Sequence, residues 1–582
     1  MRMFSVNLLI RVVASAAIAV TVVACEIAPR TSAVPETRHS NAQDWEAYVS
    51  AFVEWTFDSS PDVAVWAGRH EYDGRLPDWS EIGLHKTIER LHRERVRAES
   101  IEPATLSEQQ RFERKRLLAE IDERLFWLET AEWPYRSPSY YGWQLDPAVY
   151  LTREYAPLAV RMRAYVKYAS GIPVAARQIR HNLRTPMPRP YIGIGKTIFG
   201  GLARFYEHDV PEVFRAVDDP RLQEEFRDAN AAAVRAMTEL SAWLGQQESD
   251  ATDDFALSPE RFAQMLRQTE GVDVPLDRLK RIGEEDLERS LAALRDACAK
   301  FDPDAELKAC VEKTKAKKPT TSTINAAAAH LVELRSFIRD HGIVTIPGTE
   351  QAIVRESPTY QRWNAAYIDV PGPFERSLPG IYYVAPPDPA WTEEEQAAYI
   401  PSESDLMFIS AHEVWPGHFL QFLHSNRVRS VPERLFWSYA YGEGWAHYCE
   451  EMIWEAGFRD GDPEMHIGQL TNALLRDVRY LSAIGLHTAG MTVVESEQMF
   501  LSKAFQDPGN ARQQAARGTF DPAYGNYLLG KLMIRKLRED WTASRGGRSS
   551  WKAFHDEFLS HGAPPIPLIR EEMLGDGAGP PL

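Results

Sequence analysis

Apolar residues recur at three and four along most of the chain, the period of an α-helix with one buried face. DWEAYVSAFVEWTF (44–57), TLSEQQRFERKRLLAEIDERLFWLE (105–129) and PLDRLKRIGEEDLERSLAALRDACAKF (275–301) show it most plainly. Pro275 and Ser402 read as helix starts, the second with Asp405 three residues on, in the manner of a capping box. One segment breaks the period: PGIYYVAPP (379–387) is β-rich, bounded by Pro and Gly, and reads as a strand. KTKAKKPTTST (313–323) reads as an exposed loop. The pattern predicts a mainly α fold with a small β element close to the histidine-rich region.

The first residues depart from this pattern. MRMFSVNLLIRVVASAAIAVTVVAC has Arg2 and Arg11, an apolar run over 12–23 and a small residue before Cys25. That is the form of a bacterial export signal rather than a membrane span. Val22-Val23-Ala24-Cys25 resembles the lipobox of bacterial lipoproteins. The resemblance implies a signal peptide over 1–24, a lipid on Cys25 and attachment to the membrane through it. A plain cleaved signal or an N-terminal anchor helix is the alternative. Glu26, rather than Asp, directs such a lipoprotein to the periplasmic face of the outer membrane in Gram-negative cells that use that sorting rule. Residues 25–43 are polar, Pro-bearing and aperiodic, as in a flexible tether.

Composition adds bounds. A chain of 582 residues, 44% hydrophobic, can bury a large core. Its formal charge of −17 argues against a nucleic-acid partner, which needs clustered Lys and Arg. A soft boundary falls near 345, between an N-terminal helical region (44–345) and a catalytic helical region (346–582) dense in His, Trp, Tyr and Gly. Cys298 and Cys310 would stand roughly 18 Å apart on one unbroken helix, too far to bond. Pro303 breaks that helix, and export to an oxidising compartment then allows a local disulfide. Cys449 reads as a buried small hydrophobe.

Candidate chemistry centres on AHEVWPGHFLQ (411–421). The usual zinc-peptidase spacing is H-E-x-x-H on one helical face, but here His418 follows His412 by six. On an ideal helix residues six apart point about 240° apart and rise about 9 Å, so they cannot share one zinc. Pro416 cannot donate a backbone N–H and Gly417 tolerates unusual angles, so a widened, π-like turn can return His418 to the side of His412. A third ligand is expected from YAYGEGWAHYCEE (439–451), where Glu443 lies 25 residues beyond His418. The first glycine of that segment suits a close backbone approach. His447, one turn on, reads either as a competing ligand or as a support behind the ligands. Glu450 could orient a ligand, although taken alone it reads as a solvated helix carboxylate.

HEVWPGHFLQ, GEGWAHYCE, LLRDVRYLSAIGLHTAGMT and YGNYLLGKLMIRKLRE, in that order, resemble the bacterial family of unknown function number 885, with HEYDGRLPD and PGIYYV fitting as well. The resemblance spans most of the mature chain. It implies a branch of the gluzincin metallopeptidases with a helical, cleft-bearing fold, one zinc on His412, His418 and Glu443, and Glu413 as general base. The chain departs from the family in having His447 and Ala483 where an apolar residue and Asp are common.

From these residues the chemistry expected is zinc-dependent hydrolysis of short peptides at the cell envelope, with Glu413 moving the proton. The oxyanion donor is Tyr527, or else His487. Arg479 either binds a substrate carboxylate or makes a structural ion pair. Tyr382 and Tyr383, on the predicted strand, would line an edge to which a peptide could add. The competing readings are a metal-dependent amidase acting on a non-peptide substrate and a non-catalytic, peptide-binding lipoprotein.

Overall fold

The helical period becomes a buried stripe in the first helix, Asn41–Ser59, where Trp45, Tyr48, Val49, Phe52 and Val53 all point inward. This helix starts three residues earlier than the pattern indicates. The computed structural model describes residues 41–358, 362, 365–375, 378–387, 389 and 391–582. The predicted signal peptide, Cys25 and most of the tether lie outside the described residues. Among those described, no helix is long and apolar enough to cross a membrane.

Helix after helix follows, and the fold is mainly α with a single three-stranded sheet among the described residues. Ser402 caps its helix by accepting the Asp405 N–H at 3.1 Å. The box is not reciprocal, since the Asp405 carboxylate takes the Ser402 hydroxyl instead. The helix Leu276–Phe301 ends before Pro303 and the chain resumes as Leu307–Lys315, which brings Cys298 and Cys310 to a Cα separation of 5.9 Å, where they are bonded. Leu276–Phe301 also packs along Pro463–Thr488, and a Cβ on Gly283 would lie 2.5 Å from the Tyr480 ring. Helices on either side of residue 345 thus share one hydrophobic core, running from Trp45 to Leu582.

The predicted strand is β3 (Gly380–Val384), and it is central. It is flanked by β1 (Ala352–Glu356, parallel) and β2 (Ala366–Asp369, antiparallel), neither of which the alternation of residues reveals. This corrects the roles expected for Tyr382 and Tyr383. With both of its sides paired, β3 offers no edge. Tyr382 is wholly buried with its hydroxyl 3.3 Å from the Ser410 hydroxyl, and Tyr383 stacks on Tyr367 in the interior. The outer strands are β1 and β2, and β2 is the one that meets the His-Glu motif, through Ile368 N–H and Glu413. Ala385 N–H donates to Ala365 O, so alternation turns the main-chain groups of Tyr367 and Asp369 toward β3 and those of Ala366 and Ile368 away.

Candidate metal centre

The His412 helix, Glu403–Glu413, stops immediately after the His-Glu pair, and a new helix, His418–Ser425, begins at the second histidine. The spacing is therefore solved by a widened turn that also breaks the helix: Trp415 N–H reaches back five residues to Ser410 O at 3.4 Å before the chain restarts. Pro416 has no N–H to continue the ladder. Gly417 N–H turns back to Ala411 O at 3.0 Å. A Cβ on Gly417 would fall 1.7 Å from the His412 carbonyl oxygen, so only glycine lets the chain double back this tightly. The Trp445 indole N–H donates to Pro416 O at 3.0 Å, fastening the loop to the helix Tyr439–Glu455 that carries Glu443.

That helix is held in turn by Asn526–Thr542. A Cβ on Gly444 would lie 2.4 Å from Gly530 Cα, and one on Gly530 would lie 1.8 Å from Ala440 O. The close backbone approach is made by the second glycine of GEGWA; the first, Gly442, faces the Trp437 ring. Through this contact Glu443 and Tyr527 come to one place.

The result is a compact triad. His412 Nε2 and His418 Nε2 each stand 3.3 Å from the same oxygen, Glu443 Oε2, and the three donor atoms lie within 4.8 Å of one another. Glu443 Oε2 is buried and accepts no hydrogen bond among the described residues. Ligand atoms held about 2.0–2.1 Å from a tetrahedral zinc stand roughly 3.3 Å apart, so two imidazoles and one carboxylate fit that ion both in chemistry and in separation. Burial raises the Glu443 carboxyl, but His418 and His412 more than offset this and hold it well below the usual range. His412 is pushed up to about 9: burial opposes the charge, and Glu443 and Glu450 outweigh it.

Behind the triad, His412 Nδ1–H donates to Glu450 Oε1 at 2.7 Å, which leaves Nε2 with a lone pair directed at the centre. Glu450 is fully buried rather than solvated, and Arg476 lies 3.3 Å from the same oxygen. Burial raises its carboxyl, and Arg476, His412 and His447 together hold it far below its ordinary value. His447 is not one of the three converging residues. It lies 3.6 Å from Glu450 Oε2, and burial lowers it to about 4. Arg476 was missed in the sequence, although its place three residues before Arg479 puts both on one helical face.

Glu413 follows His412 but points toward the sheet, where its Oε2 accepts the Ile368 N–H of β2 at 3.1 Å. Burial raises its carboxyl, opposed by His412 and His418. Tyr527 lies on the other side of the motif, its ring nearly parallel to that of His412 at 6.2 Å and its hydroxyl without a hydrogen-bond partner among the described residues. The Arg479 guanidinium sits 5.0 Å from the Tyr527 ring. His487 is corrected. Leu257 N–H donates to its Nδ1, its Nε2–H donates to Gly518 O, and it is wedged against Phe262, so it has no N–H left for an oxyanion.

The family described as bacterial protein of unknown function (DUF885) matches residues 61–573. The chain belongs to that family. Solved structures share its fold, among them two bacterial proteins. One is a proposed lipoprotein of unknown function from Shewanella oneidensis, 22% identical, with a TM-score of 0.76 over 91% of this chain and 99% of that one. The other is a proposed lipoprotein from Colwellia psychrerythraea, 16% identical, with a TM-score of 0.77 over 91% and 98%. No curated protein matches the sequence.

Proposed function

We propose that this DUF885 protein is a zinc-dependent, gluzincin-like peptidase of short peptides, held at the cell envelope by a lipid on Cys25. The observation that carries the reading is the orphaned Glu443 oxygen, 3.3 Å from two imidazole nitrogens, with the Glu413 carboxylate alongside. The lipid anchor rests on the Val22–Cys25 motif and agrees with the descriptions of the two structural neighbours.

When bound by His412, His418 and Glu443, a zinc ion supplies Lewis acidity and lowers the pKa of water toward neutrality. Glu413, with its carboxyl already raised, accepts a proton from the attacking water and delivers it to the leaving amine. The free Tyr527 hydroxyl donates to the oxyanion that develops on the scissile carbonyl. The outward main-chain groups of Ala366 and the Ile368 carbonyl receive an extended peptide beside Glu413, whose Oε2 takes the Ile368 N–H. Glu450, fixed by Arg476, keeps His412 in its ligating tautomer.

Both an amidase and a silent peptide-binding lipoprotein would use the same centre. The β2 edge beside Glu413 favours a peptide, and the intact Glu413 favours catalysis. The test is zinc content together with peptide hydrolysis, with and without chelator. Glu413→Gln should keep the metal and lose roughly 10²–10⁴-fold in hydrolysis, while Tyr527→Phe should lose less, mainly in kcat. A Glu413→Gln protein that hydrolyses peptides at the parent rate would overturn the mechanism.

A further inference from the structure

Three arginines gather around the Tyr527 and Tyr439 rings, and two of them are already matched. Arg476 meets Glu450 at 3.3 Å. Arg517 meets Asp521 at 2.9 Å and donates to the Tyr439 hydroxyl at 2.9 Å. Arg479 is different. It is 8% exposed, its Nε–H donates to the neutral amide oxygen of Gln514 at 2.8 Å, and no carboxylate among the described residues lies within ion-pair distance. Its two terminal nitrogens have no partner among those residues. Burial lowers it to about 10, and Arg517 adds to this by repulsion.

A buried guanidinium without a counter-charge is expensive, and its planar fork matches a carboxylate with two parallel hydrogen bonds. The position is also informative. Tyr527 touches both Arg479 and His412, so the unmatched cation lies one aromatic ring from the proposed hydrolytic centre. The nearby acids that could attract an amine, Glu450 and Asp521, are taken up by Arg476 and Arg517. This flank of the centre is therefore cationic: it favours an anion and repels a free N-terminus.

We propose that Arg479 binds the free C-terminal carboxylate of a peptide, so that the protein acts at the C-terminal end of its substrates. This rests on the peptidase reading for its chemistry, but the recognition can be measured without turnover. The probe is an N-acetylated pentapeptide of uncharged residues, made as the free acid and as the C-terminal amide. Binding to zinc-loaded Glu413→Gln protein is followed by calorimetry. The acid should bind about 10- to 100-fold more tightly than the amide, the worth of a charge-assisted pair. Adding Arg479→Gln should erase that difference while leaving amide binding in place, a result that mere structural damage would not produce. In the active protein, mass spectrometry should find residues released from the C-terminus of the acid only.

Equal binding of acid and amide by the Glu413→Gln protein would overturn the proposal, even if the Arg479 variant failed to fold. So would a preference for the acid that survives Arg479→Gln, or an amide carrying one internal aspartate that binds as tightly as the acid. Discrimination without any hydrolysis by the active protein would leave carboxylate recognition standing and sink the peptidase reading instead.

Discussion

Two buried polar clusters sit on the same pair of helices, Tyr439–Glu455 and Asn526–Thr542, and they are built to opposite ends. In the first, Lys531 lies 2.7 Å from Asp286 and 3.2 Å from Glu451. Arg289 and Arg535 each reach both carboxylates, at 2.9–3.4 Å. Asp477, buried beside them, is raised above the usual carboxylate range, first by burial and then by Asp286, with Lys531 opposing. Lys531, Arg289, Arg535, Asp286 and Glu451 are all paired with one another, although neither Asp477 oxygen makes a hydrogen bond among the described residues. In the second cluster Glu443 Oε2 makes no hydrogen bond and the Arg479 fork has no partner among the described residues. A closed network of buried charges holds helices together. One with an unmatched carboxylate oxygen and an unmatched guanidinium fits the proposed reading of a site that takes a metal and a substrate.

The largest expected effect breaks the closed cluster. Lys531→Met removes the fully buried one of the three cations that Asp286 and Glu451 share, leaving them Arg289 and Arg535, and should cost up to about 3–5 kcal/mol in urea unfolding. That loss should be the same with and without zinc. Saturating zinc should stabilise the parent and not His418→Ala. A Lys531→Met effect that zinc reversed would mean that the two clusters are not separate.

A smaller effect sharpens the open one. Glu450→Gln keeps the shape but removes the charge that fixes His412 and pairs with Arg476. Zinc affinity, measured by competition with a chelator, should fall roughly 10–100-fold. Unchanged affinity would remove Glu450 from its positioning role.

The smallest concerns histidines. His412 in the open cluster is raised, whereas His487 and His555 in the scaffold are lowered to about 4, chiefly by burial. A histidine whose folded pKa lies below its unfolded value of about 6.5 takes up its proton in the unfolded state first. Its stability contribution is complete above pH 6.5 and lost as pH falls toward 4. Lowering the pH of the metal-free protein from 7 to 5.5 should cost roughly 1 kcal/mol per such residue. His555→Gln should flatten that slope; a slope independent of both residues would mean that they are already charged when folded.

Local rules carried far along this chain. The three-and-four period, the cap at Ser402 and the break at Pro303 depend on neighbours a few residues away, and they specify the helices and allow the Cys298–Cys310 bond directly. His412, His418 and Glu443 could be named for the same reason: the Pro-Gly between the histidines is a local feature, and the GEGWA segment advertises a close-packed helix. What tertiary structure alone decided is everything that depends on which surface meets which. A β-rich segment looks the same whether it is central or at an edge, so the partnering of β3 by β1 and β2, and with it the burial of Tyr382 and Tyr383, had no local signature. Glu450 reads as a solvated acid until His412, 38 residues away, closes on it at 2.7 Å. His487 looks available until Leu257 and Gly518 take both of its nitrogens. Burial and pairing are properties of distant segments brought together, and the hydrophobic packing that brings them together is non-directional, so it leaves no mark on any single residue.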